Sequence, residues 1–459
     1  MRARPTDGRL SRGFLLMQAF ACAALLTPAC GGHSPAGTGN TPKGDAGSLT
    51  DAGTSPGDAG VLGDAGMTPP VVATHSTTYA TAGAPFEAIA TSTGDVFVSV
   101  SGASAVGVQL FESLDGGLKA TCVNALPSSL VSEGAAFANL SWFPDGPEAA
   151  GGVAGGIGTP GAIFYHSADL LGCHAEGTVV SQGPISADEG TLSVAVTPDG
   201  NHAFVSNEYG KATGSANEGN IGVVAIARDD GGNFSSATKL LGQIGTGGTA
   251  IAGMTLSPDG TRLYVTTEVR ATATIASGAG NPLLSESDCM QQATGPTTAN
   301  GLLTVIDVAT AEASPGPAAI LAVVNAGCSP VRMAETADGA TLWVSVRGDN
   351  RVLAFSTSLL ESDPDNALTG YASSGGTAPV GLQLFHDDQL LAVANSNRFK
   401  TGTANGAILY VASTASASVV TTFETGLFPR EVTVGADDAT LYVTNFDSDT
   451  FQVVTTTVQ

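Results

Sequence analysis

Seven times this chain runs an apolar stretch into a tight acidic or glycine turn and straight on into a second apolar stretch. Four copies are plain: 194–207 (VAVTPDGNHAFVSN), 254–267 (MTLSPDGTRLYVTT), 333–346 (MAETADGATLWVSV) and 432–445 (VTVGADDATLYVTN). Weaker copies turn at Thr93-Gly94, Asp145-Gly146 and Asp387-Asp388. A period of about 40–50 residues marks units that cannot bury their faces alone and must stack on their neighbours. Ser257-Pro258-Asp259-Gly260 shows why the chain reverses. Proline presets its φ, aspartate bonds nearby backbone, and glycine takes the left-handed position that closes the hairpin. The second stretches, such as 263–266 and 441–444, are apolar or β-branched on successive positions. That pattern means burial on both faces. No 3.6-residue periodicity is found, which excludes a helical solenoid.

Within the 459 residues, Gly 60 and Pro 23 with few charges suit many short strands joined by turns. A formal charge of -24 leaves no basic footprint for nucleic acid, so that partner class is excluded. Residues 1–29 read as an export signal. Arg2, Arg4, Arg9 and Arg12 precede the apolar run 14–26, which is too short to span a bilayer. Ala19-Phe20-Ala21 offers an ordinary cleavage site, while Thr27-Pro28-Ala29-Cys30 resembles the lipobox of bacterial lipoproteins. That resemblance implies acylation of Cys30 and a lipid anchor in the bacterial cell envelope, at the outer membrane or cell surface. Residues 30–70, with Asp-Ala-Gly at Asp45, Asp51, Asp58 and Asp64, have almost nothing apolar to bury and read as a disordered tether. As a flexible coil it would reach about 35 Å. Residues 71–459 carry the repeats.

The tetrapeptide Tyr442-Val443-Thr444-Asn445, with Phe204-Val205-Ser206-Asn207 and Tyr264-Val265-Thr266-Thr267 close to it, resembles the YVTN-repeat family of β-propellers. The resemblance implies an all-β, seven-bladed β-propeller of four-stranded antiparallel blades, strands A to D running outward from the axis. Lactonase-like propellers share the repeat pattern. Turns near 94, 145, 199, 259, 338, 387 and 437 give the seven blades. The last blade ends on a strand C at 450–456. Residues 71–78 (VVATHSTT) are therefore expected to pair with it as an N-terminal strand that closes the ring and removes an exposed sheet edge.

Four cysteines follow the signal, and four allow three connectivities. Cys122 and Cys173 fall in adjacent blades near one end, Cys289 and Cys328 near the other. The expected bonds are Cys122–Cys173 and Cys289–Cys328. A thiol nucleophile has little support, since His174 beside Cys173 is the one neighbouring histidine.

A meander sends the A–B turns to one end of the ring, and the B–C loops and D–A crossings to the other. The longest B–C loops span 207–220, 268–300 and 395–405. Long loops on a rigid scaffold are where binding residues gather, although tolerated surface insertion is the plain alternative. Aligning the blades on their turns puts Glu87, Asn139, Ser193, Gly253, Arg332, Gly381 and Glu431 at equivalent positions near the channel mouth, with Arg430 one step away. Eight basic residues fall at this end: Lys211, Arg270, Arg332, Arg347, Arg351, Arg398, Lys400 and Arg430. Glu87, Asn139, Arg332, Arg430 and Glu431 are the expected ligand-binding residues, for a small anionic or sugar-like molecule or a protein partner. Ion pairs stapling neighbouring blades would account for Arg332 and Glu431 equally well.

No Gly-x-Ser-x-Gly, His-Glu-x-x-His or Cys-x-x-Cys motif occurs, and the histidines are dispersed. Neither a cofactor nor a metal is expected. Glu87, Asn139 and Glu431 could act as metal ligands of a lactonase-like site, and Asp363, Asp365 and Asn366 as a calcium loop, but stapled and solvated roles suit them better. The expected function is a lipid-anchored, monomeric binding or scaffolding module. The alternatives are a lactonase-like hydrolase acting on a lactone or sugar derivative in the channel, and a structural surface component.

Overall fold

The computed structural model describes residues 69–459 except 103–104, 127–135, 143–147, 155–160, 175–177, 182–189, 211–217, 272–273, 279, 285–299, 399–401, 403–404 and 413–416. The signal, the tether, Cys30 and Cys289 lie outside the described residues. The fold is an all-β propeller. Its strands form seven four-stranded antiparallel sheets, six of them in plain chain order. Sheets 1 to 6 span 84–125, 136–181, 191–245, 248–328, 330–373 and 379–424. Sheet 7 takes Pro429–Val434, Thr440–Asn445 and Thr450–Val458, and its outer strand is Val72–Ala80 from the other end of the chain.

The innermost strand of each sheet, strand A, touches strand A of the next, and that of sheet 7 touches that of sheet 1. The ladder between Val72–Ala80 and Thr450–Val458 runs in register from Val72 opposite Val458 to Ala80 opposite Thr450. It extends two residues beyond the stretch 71–78 expected from sequence. Tyr79 supplies the reason: its ring stacks on Phe451 at 5.3 Å, and its hydroxyl accepts the Leu118 N–H at 3.2 Å.

The core lies between sheets, which is why the B strands are apolar on successive positions. Phe97 of sheet 1 packs with Leu140 and Ile163 of sheet 2, and Trp343 of sheet 5 with Leu391 and Val393 of sheet 6. Across the closure, Val96 and Val98 meet Tyr442 and Phe451. The A–B turns form as the sequence implies, with Gly200, Gly260 and Gly339 at φ 68°, 69° and 69°. Three short helices join strands C and D: α1 (Ser167–Leu171), α2 (Val308–Ala313) and α3 (Thr357–Ser362). At five or six residues, none is long enough to leave a helical period in the sequence. Cys122 and Cys173 are bonded to each other and tie sheet 1 to sheet 2. Cys328 is fully buried and disulfide-bonded.

Candidate functional site at the axis

All seven A strands carry a β-bulge. It falls between residues 85 and 88, 137 and 140, 191 and 194, 251 and 253, 330 and 333, 379 and 382, and 429 and 431. The residues aligned by sequence at the channel mouth sit in or at the edge of these bulges. An extra residue breaks the ladder and re-aims the side chains beside it. The backbone N–H it frees needs another partner. Strand B provides one: the N–H groups of Glu87, Ser193, Arg332 and Glu431 donate to the hydroxyls of Ser99, Ser206, Ser345 and Thr444 at 2.8 to 3.1 Å. Strand B hydroxyls at this position also reach the next sheet. Thr266 donates to the Val331 carbonyl (2.6 Å), Ser345 to Val380 (2.7 Å) and Thr444 to Phe86 (2.9 Å). The hydroxyl residue is the third of the repeated tetrapeptide. The repeat was visible in the sequence, but the bulge that gives it a role was not.

Four of the five expected site residues come together. The Arg332 guanidinium donates from Nε to Glu431 Oε2 at 2.6 Å and from Nη2 to Asn139 Oδ1 at 3.5 Å, so one side chain links sheets 5, 7 and 2. Glu87 accepts the Leu140 N–H. Burial holds the Glu87 carboxyl well above the usual carboxylate range, and the Glu431 charge adds to the rise. The Leu140 N–H, Arg332 and Asn139 offset only part of it. Arg332 and Glu431 offset each other's charge within the cluster.

Arg430 goes elsewhere. The bulge turns it away from Glu431 and lays its guanidinium over Phe86 at 3.7 Å, with Phe446 at 5.2 Å and Phe428 at 5.7 Å. Its Nε has no hydrogen-bond partner. Burial, then the charges of Arg332 and Arg398, bring its pKa down to about 9. Beyond it lies a second charged group. Arg347 pairs with Glu268, which also accepts from the Ser329 hydroxyl at 2.7 Å. Burial and then the Glu268 charge raise Glu208 to about 7. Arg351 is taken up by Asp349 at 3.6 Å and by the Tyr371 ring. Of the six described basic residues grouped by sequence, Arg332, Arg347 and Arg351 are thus paired with carboxylates. Lys211 and Lys400 lie outside the described residues.

A cavity of about 330 Å³ adjoins the cluster, lined by Glu87, Asn139, Ser141, Ser193, Thr255 and Arg332 with walls of Leu140, Val194 to Val196, Met254 and Leu256. Its lining follows strand A from Ser193 to Val196 and from Met254 to Leu256, toward the A–B turns. The sequence reading placed binding at the opposite end. Glu87, Asn139 and Arg332, from the bulges of sheets 1, 2 and 5, line the cavity together with these strand residues. None of the described histidines lines it.

No protein family matches this sequence, and no curated protein matches it by sequence. Solved structures do. The chain is similar to a chain of a mitotic checkpoint complex at 10% identity and a TM-score of 0.53, covering 89% of this chain and 98% of that one. It is similar to the β-propeller domain of Cps50 (Swd1) from Myceliophteria thermophila at 12% identity and a TM-score of 0.53, covering 84% and 99%. A Bacteroides uniformis protein described as a 6-phosphogluconolactonase matches at 15% identity and a TM-score of 0.50, covering 84% and 92%. At these identities the likeness is one of fold.

Proposed function

We propose that this chain is an exported, lipid-anchored binding module, held to the cell envelope through Cys30, whose seven sheets act as the blades of one ring closed by residues 72–80. The axial cavity takes a small, uncharged, sugar-like molecule. The observation that carries this reading is the state of Arg332. Its guanidinium is already matched by Glu431 and Asn139, so the cavity floor offers hydroxyl, amide and carboxyl hydrogen-bonding groups without a free cation. Apolar walls with a few convergent polar groups are the usual make-up of a small-molecule site.

The test is a calorimetric screen of neutral sugars against sugar acids, on wild type and on Thr255→Trp, which fills the cavity from a half-buried position. Binding of a neutral sugar that Thr255→Trp abolishes supports the assignment. Binding that ignores the substitution, or acids preferred over neutral sugars, refutes it. Labelling with a radioactive fatty acid checks the anchor, and loss of label in Cys30→Ala is the expected result.

One observation favours a second reading, lactone hydrolysis. A protonated Glu87 beside Arg332 and Asn139 could hand a proton to a departing oxygen, and a propeller described as a lactonase shares the fold. Turnover of a sugar lactone, lost in Glu87→Gln with the fold intact, would establish it.

A further inference from the structure

The junction between sheets 4 and 5 on the turn side is fastened by a guanidinium. Arg262 opens strand B of sheet 4, three residues after the turn aspartate Asp259. It bonds Glu361 at 2.6 Å and Asp307 at 3.1 Å. Glu361 is the fifth residue of α3. A similar arrangement recurs one junction back, between sheets 3 and 4, with two exchanges, one of them Ala225 in the place that Asp307 holds opposite Arg262. Asp199 is the turn aspartate, Glu312 is the fifth residue of α2, and the residue at the position of Arg262 is His202.

Histidine does not complete the junction as arginine does. His202 Nδ1 and Glu312 Oε1 lie 3.2 Å apart, yet Nδ1 is buried without a hydrogen bond. Asp199 brings a second carboxylate to the same place, and the donor atoms of all three residues lie within 4.8 Å of one another. A separation of 3.2 Å without hydrogen-bond geometry is what two ligands of a tetrahedral ion show, since bonds of about 2.0–2.2 Å put neighbouring donors roughly 3.3–3.5 Å apart.

We propose that Asp199, His202 and Glu312 bind a divalent transition-metal ion, zinc in the first instance, which ties sheet 3 to sheet 4 as Arg262 ties sheet 4 to sheet 5. One imidazole and two carboxylates are a donor set that borderline metals of the zinc type accept. The two acids are balanced by the ion's two charges. The supports for such ligands are present. Asp199 Oδ1 accepts from the Thr197 hydroxyl at 2.7 Å and the Asn201 N–H at 3.0 Å, while Oδ2 accepts only from Asn201 Nδ2 at 2.9 Å and keeps a further lone pair for an ion. His202 is fixed in the ladder opposite Ala225, and α2 is capped by Asp307. Asp199 is exposed, which leaves the fourth position to water.

The experiment uses the full chain after treatment with a chelator, titrated with ZnCl2 by calorimetry and followed by thermal unfolding. One zinc ion per chain should bind and raise the melting temperature. His202→Ala and Glu312→Gln should each weaken binding by on the order of a hundredfold. His202→Arg gives Glu312 the cation that Arg262 gives Glu361, so it should fold stably without metal and lose the response to zinc. Zinc affinity unchanged in His202→Ala, or no zinc-dependent rise in melting temperature for wild type, overturns the proposal. The second outcome would mean that a protonated His202 simply pairs with Glu312.

Discussion

Removing the Arg332 guanidinium is the sharpest test of what the axial cluster does. In Arg332→Met the chain keeps an apolar stem of similar length, but Glu431 and Glu87 lose the cation between them. The side chains of Arg332 and Glu431 are only 8% and 7% exposed, so water cannot replace the lost partner. Stranding one member of a buried pair costs about 3–5 kcal/mol. The double variant Arg332→Met/Glu431→Gln removes both charges and should recover most of that loss, giving a coupling energy of at least about 2 kcal/mol in the mutant cycle. The single variant also predicts a pH dependence. A carboxyl whose pKa is raised in the folded state binds its proton more tightly there than in the unfolded chain. Stability therefore falls as pH rises from the ordinary carboxylate range to the raised pKa, at up to about 1.4 kcal/mol per pH unit for each group. Denaturant unfolding at pH 5 and pH 8 should show the deficit of Arg332→Met shrinking at the lower pH. A loss under about 1 kcal/mol, or single-variant losses that simply add in the double, would refute this electrostatic account.

Deleting residues 72–80 should destabilise the ring by about 4 kcal/mol, from the lost burial of Val72 and the Tyr79 ring. Deleting residues 31–68 should leave thermal unfolding unchanged, and equal tolerance of both deletions would discredit the closure. The wild type should melt highest at mildly acidic pH. Glu87, Glu208 and Glu335 are raised chiefly by burial, the last two to about 7, so their contribution is lost as pH rises toward 7. The turn carboxylates Asp199, Asp259 and Asp338 are lowered, so their contribution is lost as pH falls below the usual range. A melting temperature that climbs steadily from pH 5 to pH 8 would contradict this balance. Replacing both Cys122 and Cys173 by serine should cost about 2–4 kcal/mol, read by chemical denaturation against wild type under oxidising conditions.

The blade pattern was legible because turn chemistry and two-sided apolar strands are local properties, as in Ser257–Gly260 and the strand after it. Aligning on those turns also brought Glu87, Asn139, Arg332 and Glu431 to one place, since each is counted a fixed distance from its own turn. Arg430 escaped that count. It is adjacent to Glu431 in sequence, but the bulge sends the two side chains to different surroundings, and nothing in the local composition announces a bulge. The contact of His202 with Glu312 joins residues of different repeats, and Glu312 sits in a helix of six residues that leaves no periodic trace.

The seven bulges also separate two tasks that one strand would otherwise perform together. The backbone ladder to strand B is carried by the regular part of each A strand, while at the irregular step the N–H groups of Glu87, Ser193, Arg332 and Glu431 turn to strand B hydroxyls. The residues at the irregular step answer mainly to the axis. A change there, such as Ser193 to a larger group, would alter what the axis encloses, whereas a Cβ at Gly253 would collide with the Val331 carbonyl of the next sheet. Substitution at a cavity-lining position such as Ser193 would thereby reshape the centre of the fold, with its loops and its outer strands untouched.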